Sequence, residues 1–280
     1  MCALSSLSHV KREKSGKRVS APPLVSWCSF TGDRSGSMGS YGLHGAAEPL
    51  YLWYTEQAKA AHEENRKVYI SVTTFDDEME KRLENVDAKT AEANLSAQQA
   101  RDWMTPRGCT KLYDTAIASL AAVRSYAREY VEALPKEVRA LNPRVVKVWA
   151  LMTDGYNNAG QMTKEDFKRA VELARKDGVE CFFLAANCDG VARGVEYGFD
   201  AQHSLTVADT PNEMRSAMCA TSSLMRATSS GETNVRFSQA MRQSSAPIPH
   251  TTDRGGAGQK QGGLPTLRRA PRRPNRILRA

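Results

Sequence analysis

Two nearly continuous apolar segments constrain the fold of this chain more than any other feature. They are Val145–Thr153, with the sequence VVKVWALMT, and Val179–Ala186, with the sequence VECFFLAA. Apolar runs of this length without alternation are typical of parallel strands that are covered on both faces. The stretch between them, Thr163–Lys176, has helical spacing, with Thr163 placed to cap its first turn and Gly178 to end it. The order strand, helix, strand indicates an α/β fold.

Weaker signals of the same kind extend this order along the chain. We predict strands at Leu24–Thr31, Lys67–Phe75 and Ser204–Ala208, and an edge hairpin in which Met79–Val86 pairs with Lys67–Phe75. Predicted helices cover about residues 48–65, 96–104, 111–134 and 211–226. Right-handed crossovers place helices on both faces and gather the loops that follow the strands at one edge. The sequence therefore predicts a doubly wound, mostly parallel six-stranded sheet with helices on both faces.

Charge and composition separate a central domain from two basic ends. Residues 1–20 carry a net charge of +4 and residues 242–280 carry +8, which leaves −4 for residues 21–241. Beyond Ser229 the chain is rich in Ser, Gly, Pro and Arg, with too few large apolar side chains to offset the entropy of ordering. We expect a basic disordered segment over residues 1–20, a folded domain over residues 21–230, and a disordered basic tail over residues 231–280.

The sequence contains no evident signal for export or membrane insertion. The first ten residues lack the apolar stretch of a signal peptide, and no segment approaches the ~20 apolar residues of a membrane span. The six cysteines are irregularly spaced, with no C-x-x-C pair, which favours free thiols in a reducing compartment. We expect a cytoplasmic or otherwise intracellular protein, and a nuclear or virion-associated location is compatible with this expectation.

Hydroxyl and carboxylate side chains occur in three loops that this fold brings to one edge of the sheet. The segment DRSGSM places Asp33, Ser35 and Ser37 at alternate positions where the first strand ends. Thr110 opens the long helix, and Asp154 ends the strand VVKVWALMT. All five residues offer hard oxygen atoms, which suit Mg²⁺ or Ca²⁺ and are poorly suited to Zn²⁺ or Cu²⁺. Their convergence predicts a divalent-cation site whose octahedral shell is completed by water.

Each of these residues also has a purely structural interpretation. The DRSGSM segment would form an Asx-type turn, Thr110 would cap the long helix, and Asp154 with Gly155 would form a common turn. The occurrence of all three segments in one chain favours the cation site.

The order and spacing of DRSGSM, GCTKLYD and MTDG resemble the metal-ion-dependent adhesion site of von Willebrand factor A domains. The resemblance covers about residues 22–230, and FFLAANCDGVARGVEYGF is similar to a segment of stand-alone A domains from bacteria and large DNA viruses. It implies a Rossmann-like fold and Mg²⁺ as the cofactor, with Mn²⁺ or Ca²⁺ as alternatives. It further implies that Ser35, Ser37 and Thr110 contact the cation directly, whereas Asp33 and Asp154 act through water. The first strand departs from the family pattern, because Ser26, Ser29, Thr31 and Gly32 dilute its apolar character.

The resemblance also implies a protein-binding module rather than an enzyme, with an Asp or Glu of the partner completing the coordination of the cation. Motifs of common enzyme classes are absent from the sequence. Ser37 lies in SGSMG rather than in a G-x-S-x-G motif, and there is no G-K-[ST] phosphate loop. A hydroxyl-rich magnesium site could position a phosphate ester, but no general base or second metal is evident. We therefore expect no enzymatic activity.

The basic tail offers a second candidate interaction surface. Guanidinium groups interleaved with prolines suit phosphates or an acidic protein groove, whereas the lack of interleaved aromatic residues gives no support for base stacking. Three interpretations of the tail are open: it binds nucleic acid, it contributes to a protein assembly, or it is a solvated segment without a partner. The alternative function is thus a structural or assembly protein, such as a virion or nucleic-acid-associated scaffold, that acts mainly through its tails. The candidate contact residues are Arg268, Arg269, Arg272, Arg273, Arg276 and Arg279.

Overall fold

A six-stranded sheet organises the part of the chain that the computed structural model describes, which comprises residues 24–41, 46–91, 95–154, 156–186, 188–208 and 210–246. The order of its strands is β3-β2-β1-β4-β5-β6. The hairpin β2–β3 is antiparallel and every other pair is parallel, which confirms the predicted mostly parallel sheet. The strands are β1 Val25–Asp33, β2 Lys67–Phe75, β3 Met79–Asp87, β4 Val145–Thr153, β5 Val179–Ala186 and β6 Ser204–Val207.

Nine α-helices connect and flank these strands within the same described ranges. None of them combines the length and the apolar character needed to cross a bilayer. Short 3₁₀ turns follow β1 at Gly36–Tyr41 and precede β6 at Ala201–His203. The α-helices are α1 Ala47–Glu63, α2 Ala88–Ala91, α3 Ala97–Trp103, α4 Leu112–Ala133, α5 Lys136–Arg139, α6 Lys164–Lys176, α7 Gly190–Glu196, α8 Pro211–Ser229 and α9 Gln239–Ser245.

Helices cover both faces of the sheet, as predicted. One apolar core contains Trp53 of α1 and Met218 of α8, and the other contains Leu120 of α4. The neighbouring residues Phe182 and Phe183 of β5 are both fully buried and belong to opposite cores. Successive side chains of a strand point to opposite faces, so a strand between two helical layers is apolar at every position.

The polar first strand lies at the centre of the sheet and is buried along its whole length. It pairs with β2 over Val25–Asp33 and with β4 over Val25–Gly32. The Ser26 hydroxyl donates to the backbone oxygen of Ser229 at 2.7 Å, and Trp149 Nε1 donates to the Thr31 hydroxyl at 2.9 Å. Because buried hydroxyls are tolerated when they are hydrogen-bonded, the departure from the apolar family pattern leaves the strand fully paired up to Asp33.

The packed structure continues past residue 230, where the composition predicts the start of a disordered tail. Phe237 is buried, and its N–H donates to the Gln202 oxygen at 3.1 Å. The Ala208 N–H donates to the Ser245 oxygen at 2.8 Å, so α9 is attached to the end of β6. This segment was not predictable from composition because few residues hold it: Phe237, Val235 and Met241 pack on the core, and Arg242 donates to the backbone oxygens of Ala201 and Ser204. The predicted tail contacts between Arg268 and Arg279, and all of residues 1–23, lie outside the described residues.

The substitution Phe237→Ala tests whether residues 231–246 belong to the domain. The Phe237 ring packs edge-on against Phe182 with 5.9 Å between centroids, so its loss should lower the free energy of unfolding by about 3 kcal/mol. Urea denaturation of the full chain measures this change. The exposed neighbour Arg236 provides the control, since Arg236→Ala should change the same free energy by less than about 0.5 kcal/mol. Equal effects of the two substitutions would contradict the extended boundary.

Candidate cation site

Three loops meet at the edge of the sheet where the parallel strands end, which we call the cation edge. The first follows β1, the second precedes α4, and the third follows β4. Backbone hydrogen bonds join the first two, from Arg107 N to the Arg34 oxygen at 2.8 Å and from Gly36 N to the Gly108 oxygen at 3.2 Å. Asn158 N joins the third loop to the second by donating to the Thr110 oxygen at 3.0 Å. The main chain alone therefore brings the three segments predicted from the sequence together.

Gly108 is required for the close approach of the second loop. Its φ of +64° is in the left-handed region, and a Cβ at this position would lie 1.8 Å from Asp77 Oδ1. Any other residue would be strained in this backbone conformation and would force the Asp77 side chain to move. The glycine thus allows the second loop to reach the end of β1.

Ser37 contacts both Ser35 and Asp154 directly. Ser35 Oγ lies 3.1 Å from Ser37 Oγ, and Ser37 Oγ donates to Asp154 Oδ1 at 2.8 Å. Ser35 is buried, Asp154 is half-buried and Ser37 is exposed, so these oxygens extend from the interior to the surface. Adjacent oxygens of an octahedral shell with bonds of about 2.0–2.1 Å are about 3.0 Å apart. The observed spacings are therefore compatible with neighbouring ligands of a small divalent cation.

Asp33 lies beneath these three residues and is completely buried. One carboxylate oxygen accepts from Ser35 N at 2.7 Å, and the other accepts from the Thr153 hydroxyl at 2.6 Å. Burial raises the pKa of Asp33 to about 6; the hydrogen bonds from Thr153 and Ser35 oppose this rise, and the charge of Asp154 adds to it. The ionised form of Asp33 is thus disfavoured in its buried position, and a cation bound nearby would favour it.

Thr110 is buried in the second loop and is held through its main chain. Its N–H donates to Asn158 Oδ1 at 2.6 Å. It does not cap the long helix, because α4 begins at Leu112 after Lys111 and has no side-chain cap there. The structural interpretation of Thr110 as an N-cap is therefore not supported, and a role for its hydroxyl in cation binding stays a prediction.

Side chains that were not predicted from the sequence attach α4 to the third loop. Asn157 Oδ1 accepts from Tyr113 N at 3.1 Å, and Asn158 supplies the bond to Thr110. Asp114 Oδ2 accepts from the N–H groups of Gln161 and Met162, both at 3.1 Å. Asn and Asp readily bond to nearby backbone groups, so the Asn-Asn pair just after Asp154 was the available signal.

The cation edge is rich in hydroxyl groups and poor in the stronger metal ligands. Within the described ranges, no group of three or more His, Cys, Asp or Glu side chains could hold a metal ion. A cation at this edge would therefore depend on serine and threonine oxygens together with water. This requirement favours a hard cation that retains much of its hydration.

Comparisons with known proteins identify the fold and not the function. Neither a protein-family model nor a curated protein matches the sequence. Among solved structures, the vWF domain of the type V pili tip protein Mfa5 from Porphyromonas gingivalis aligns with a TM-score of 0.50 and 12% identity, over 78% of this chain and 99% of that domain. Proximal thread matrix protein 1 from the mussel byssus aligns with a TM-score of 0.48 and 18% identity over 73% of this chain.

A von Willebrand factor type A protein from Catenulispora acidiphila aligns with a TM-score of 0.48 and 12% identity over 75% of this chain. The chain spans only 46% of the length of the mussel protein and 44% of the length of the Catenulispora protein. These matches do not show a bacterial or viral origin for the chain. The match to the whole Mfa5 domain agrees with the strand order and the two helical layers described above. The chain therefore has the von Willebrand factor A fold.

Proposed function

We propose that this chain is a divalent-cation-dependent protein-binding module that uses Mg²⁺, with Mn²⁺ or Ca²⁺ as alternatives. The observation that carries the proposal is the direct contact of Ser35, Ser37 and Asp154 where the three loops meet. Ser35, Ser37 and Thr110 would hold the ion directly, and Asp33 and Asp154 would act through water. The bound ion would supply a positive charge with an exchangeable coordination position.

The gradient of exposure across the site leaves one side open to a partner. Asp33, Ser35 and Thr110 are buried, whereas Ser37 is exposed and Asp154 is half-buried. A ligand from solvent would thus reach the ion past Ser37 and Asp154. An Asp or Glu side chain of a partner protein supplies the hard, negatively charged oxygen that this position favours.

Tyr156 provides a second contact for the partner, two residues after Asp154. Its side chain is 67% exposed, and Arg193 lies over the ring at 3.9 Å from the centroid. Arg193 is itself held by Tyr197, whose hydroxyl accepts at 3.3 Å. A ring fixed in this way offers contact area at a low cost in conformational entropy. The partner would therefore present an apolar group beside its acidic residue.

Divalent cations occur in two structures similar to this one. Proximal thread matrix protein 1 has been solved with zinc in its MIDAS motif, and the TRAP protein of Plasmodium vivax has been solved loaded with manganese. We favour Mg²⁺ for this chain because every proposed ligand is a hard oxygen.

A second candidate function is a structural or assembly protein that acts through the basic C-terminal segment. The net charge of +8 over residues 242–280 favours acidic partners, including nucleic acid. This alternative predicts assembly that is insensitive to a chelator and is lost when residues 247–280 are deleted. The binding module predicts the opposite pair of results.

Titration of Mg²⁺ and then Mn²⁺ into the full chain tests the cation site. We expect saturable binding at one site by calorimetry, and we expect Asp154→Ala to abolish it because the variant loses a carboxylate that balances the charge of the ion and accepts from its water ligands. Asp177 lies just before β5, at the opposite edge of the sheet, so Asp177→Ala provides a matched control that should bind like the wild type. Identical titration curves for the wild type and Asp154→Ala would contradict the site.

The variant Asp33→Asn separates the stability of the domain from cation binding. The pKa of about 6 exceeds the ordinary value of 3.8, so the folded chain retains this proton longer than the unfolded chain does. The stability of the wild type should therefore decrease as the pH rises from 4 to 6, and above pH 6 the ionised carboxyl costs on the order of 1–3 kcal/mol. In EDTA at pH 8, Asp33→Asn should melt at or above the temperature of the wild type, while Mg²⁺ should raise the melting temperature of the wild type only. A wild type whose stability relative to Asp33→Asn stays constant between pH 4 and 8 would refute this account of the buried carboxyl.

Selection from a random peptide library tests the chemistry of the partner. Peptides retained by the full chain in Mg²⁺ should contain Asp or Glu near an aromatic or large aliphatic residue, and EDTA should release them. Tyr156→Ser should weaken these peptides about ten-fold while leaving cation affinity unchanged, since a buried aromatic contact contributes on the order of 1–2 kcal/mol. Leu173→Ser, on the 45% exposed side chain of α6, provides the control. Enriched peptides without acidic residues would argue against coordination by the partner.

A further inference from the structure

Arg34 lies between the proposed ligand residues Asp33 and Ser35, but its side chain enters a buried ion network. Only 3% of this side chain is exposed. Its Nε atom lies 3.0 Å from Asp76 Oδ2, and its Nη2 atom contacts Glu80. The network, as we use the term, comprises Arg34, Asp76, Glu78, Glu80 and Arg107.

Asp76 is the common partner of the network and is completely buried just after β2. Its Oδ2 atom accepts from Arg107 Nε at 2.5 Å, and its Oδ1 atom accepts from Glu78 N at 2.7 Å. Its backbone oxygen accepts from Lys111 N at 2.7 Å. Asp76 is therefore joined to the loop after β1 by its ion pair with Arg34, and to the loop before α4 by hydrogen bonds from Arg107 and Lys111.

Arg107 extends from this buried carboxylate to the surface. Its Nη2 atom lies 2.7 Å from Glu80 and 3.0 Å from Glu78, and its side chain is 51% exposed. Both arginines are close in sequence to a proposed ligand residue. Arg107 is three residues before Thr110, and Arg34 is directly before Ser35. A buried ion pair contributes little net stability after desolvation, but its directional hydrogen bonds restrict geometry.

We propose that the Arg34–Asp76–Arg107 ion pairs position the cation ligands, by fixing Ser35 and Thr110 relative to each other before the cation arrives. This inference rests on the proposed function. The three residues are positioning residues, because each acts on the ion only through a neighbouring ligand. Two arginines near a divalent cation would by charge alone weaken its binding. The acidic residues of the network compensate for that charge and leave the arginines free to hold the two loops.

The variant Arg107→Met distinguishes positioning from simple electrostatics because the two effects have opposite signs. Removal of a positive charge should tighten Mg²⁺ binding if charge alone matters. Removal of the link to the Thr110 loop should instead raise the dissociation constant about ten-fold or more, as is typical of residues that orient metal ligands. Calorimetric titration of Mg²⁺ into the full chain measures the constant. Because Arg107 is half exposed, the variant should fold. A cooperative melting transition in EDTA, close to that of the wild type, checks this expectation.

Two further variants complete the experiment. Arg107→Lys keeps the charge but loses the planar fork of donors, and should give an intermediate dissociation constant. Arg128→Met removes one positive charge from a 68% exposed position on α4 and should stay within about two-fold of the wild type. Unchanged or tighter binding by Arg107→Met, with the wild type binding normally, would overturn this inference alone. A wild type without saturable binding would overturn the proposed function and this inference together.

Discussion

The burial of one carboxylate at the end of the central strand determines much of what surrounds it. Asp33 is enclosed because β1 pairs on both sides up to that point, and its two oxygens are bonded to Ser35 and Thr153. These bonds fix the loop after β1 against the end of β4, which Asp154 directly follows. They do not neutralise the charge, and the pKa of Asp33 stays above its ordinary value because of burial. The domain thus maintains a site at which negative charge is costly until something positive binds there.

The parts of the fold that were predictable from the sequence are those where one physical effect dominates. The bounds of β2, β4 and β5 match the prediction at every residue, because burial on one or both faces selects apolar side chains along the strand. Thr163 likewise caps the first turn of α6 as predicted, and Asp166, three positions later, completes a capping box. All the residues that form such a pattern lie within one short segment, so the element can be predicted without knowledge of the tertiary structure.

Features that depend on distant partners were not predictable in the same way. The segment with α9 is held by main-chain hydrogen bonds, by the Arg242 guanidinium and by a few apolar side chains, and its hydrogen-bond partners lie about forty positions away in the sequence. Such contacts produce no periodic pattern in the sequence. The ion network has the same character, since Arg34, Asp76 and Arg107 look like ordinary loop residues until the fold brings them together. The predicted ligand residues were identified because their types and order are unusual in combination. Their direct contacts and the supporting amides of Asn157 and Asn158 required the structure.

The attachment of α9 to the end of β6 also determines how the domain can be tethered. Since β6 is parallel to β1, the hydrogen bond between Ala208 and Ser245 places the last described residues at the cation edge. Leu24, in contrast, precedes β1 and lies at the opposite edge of the sheet. A linker fused ahead of residue 24 would hold the domain on a support with its binding edge facing solvent, whereas one fused directly after residue 246 would hold that edge against the support.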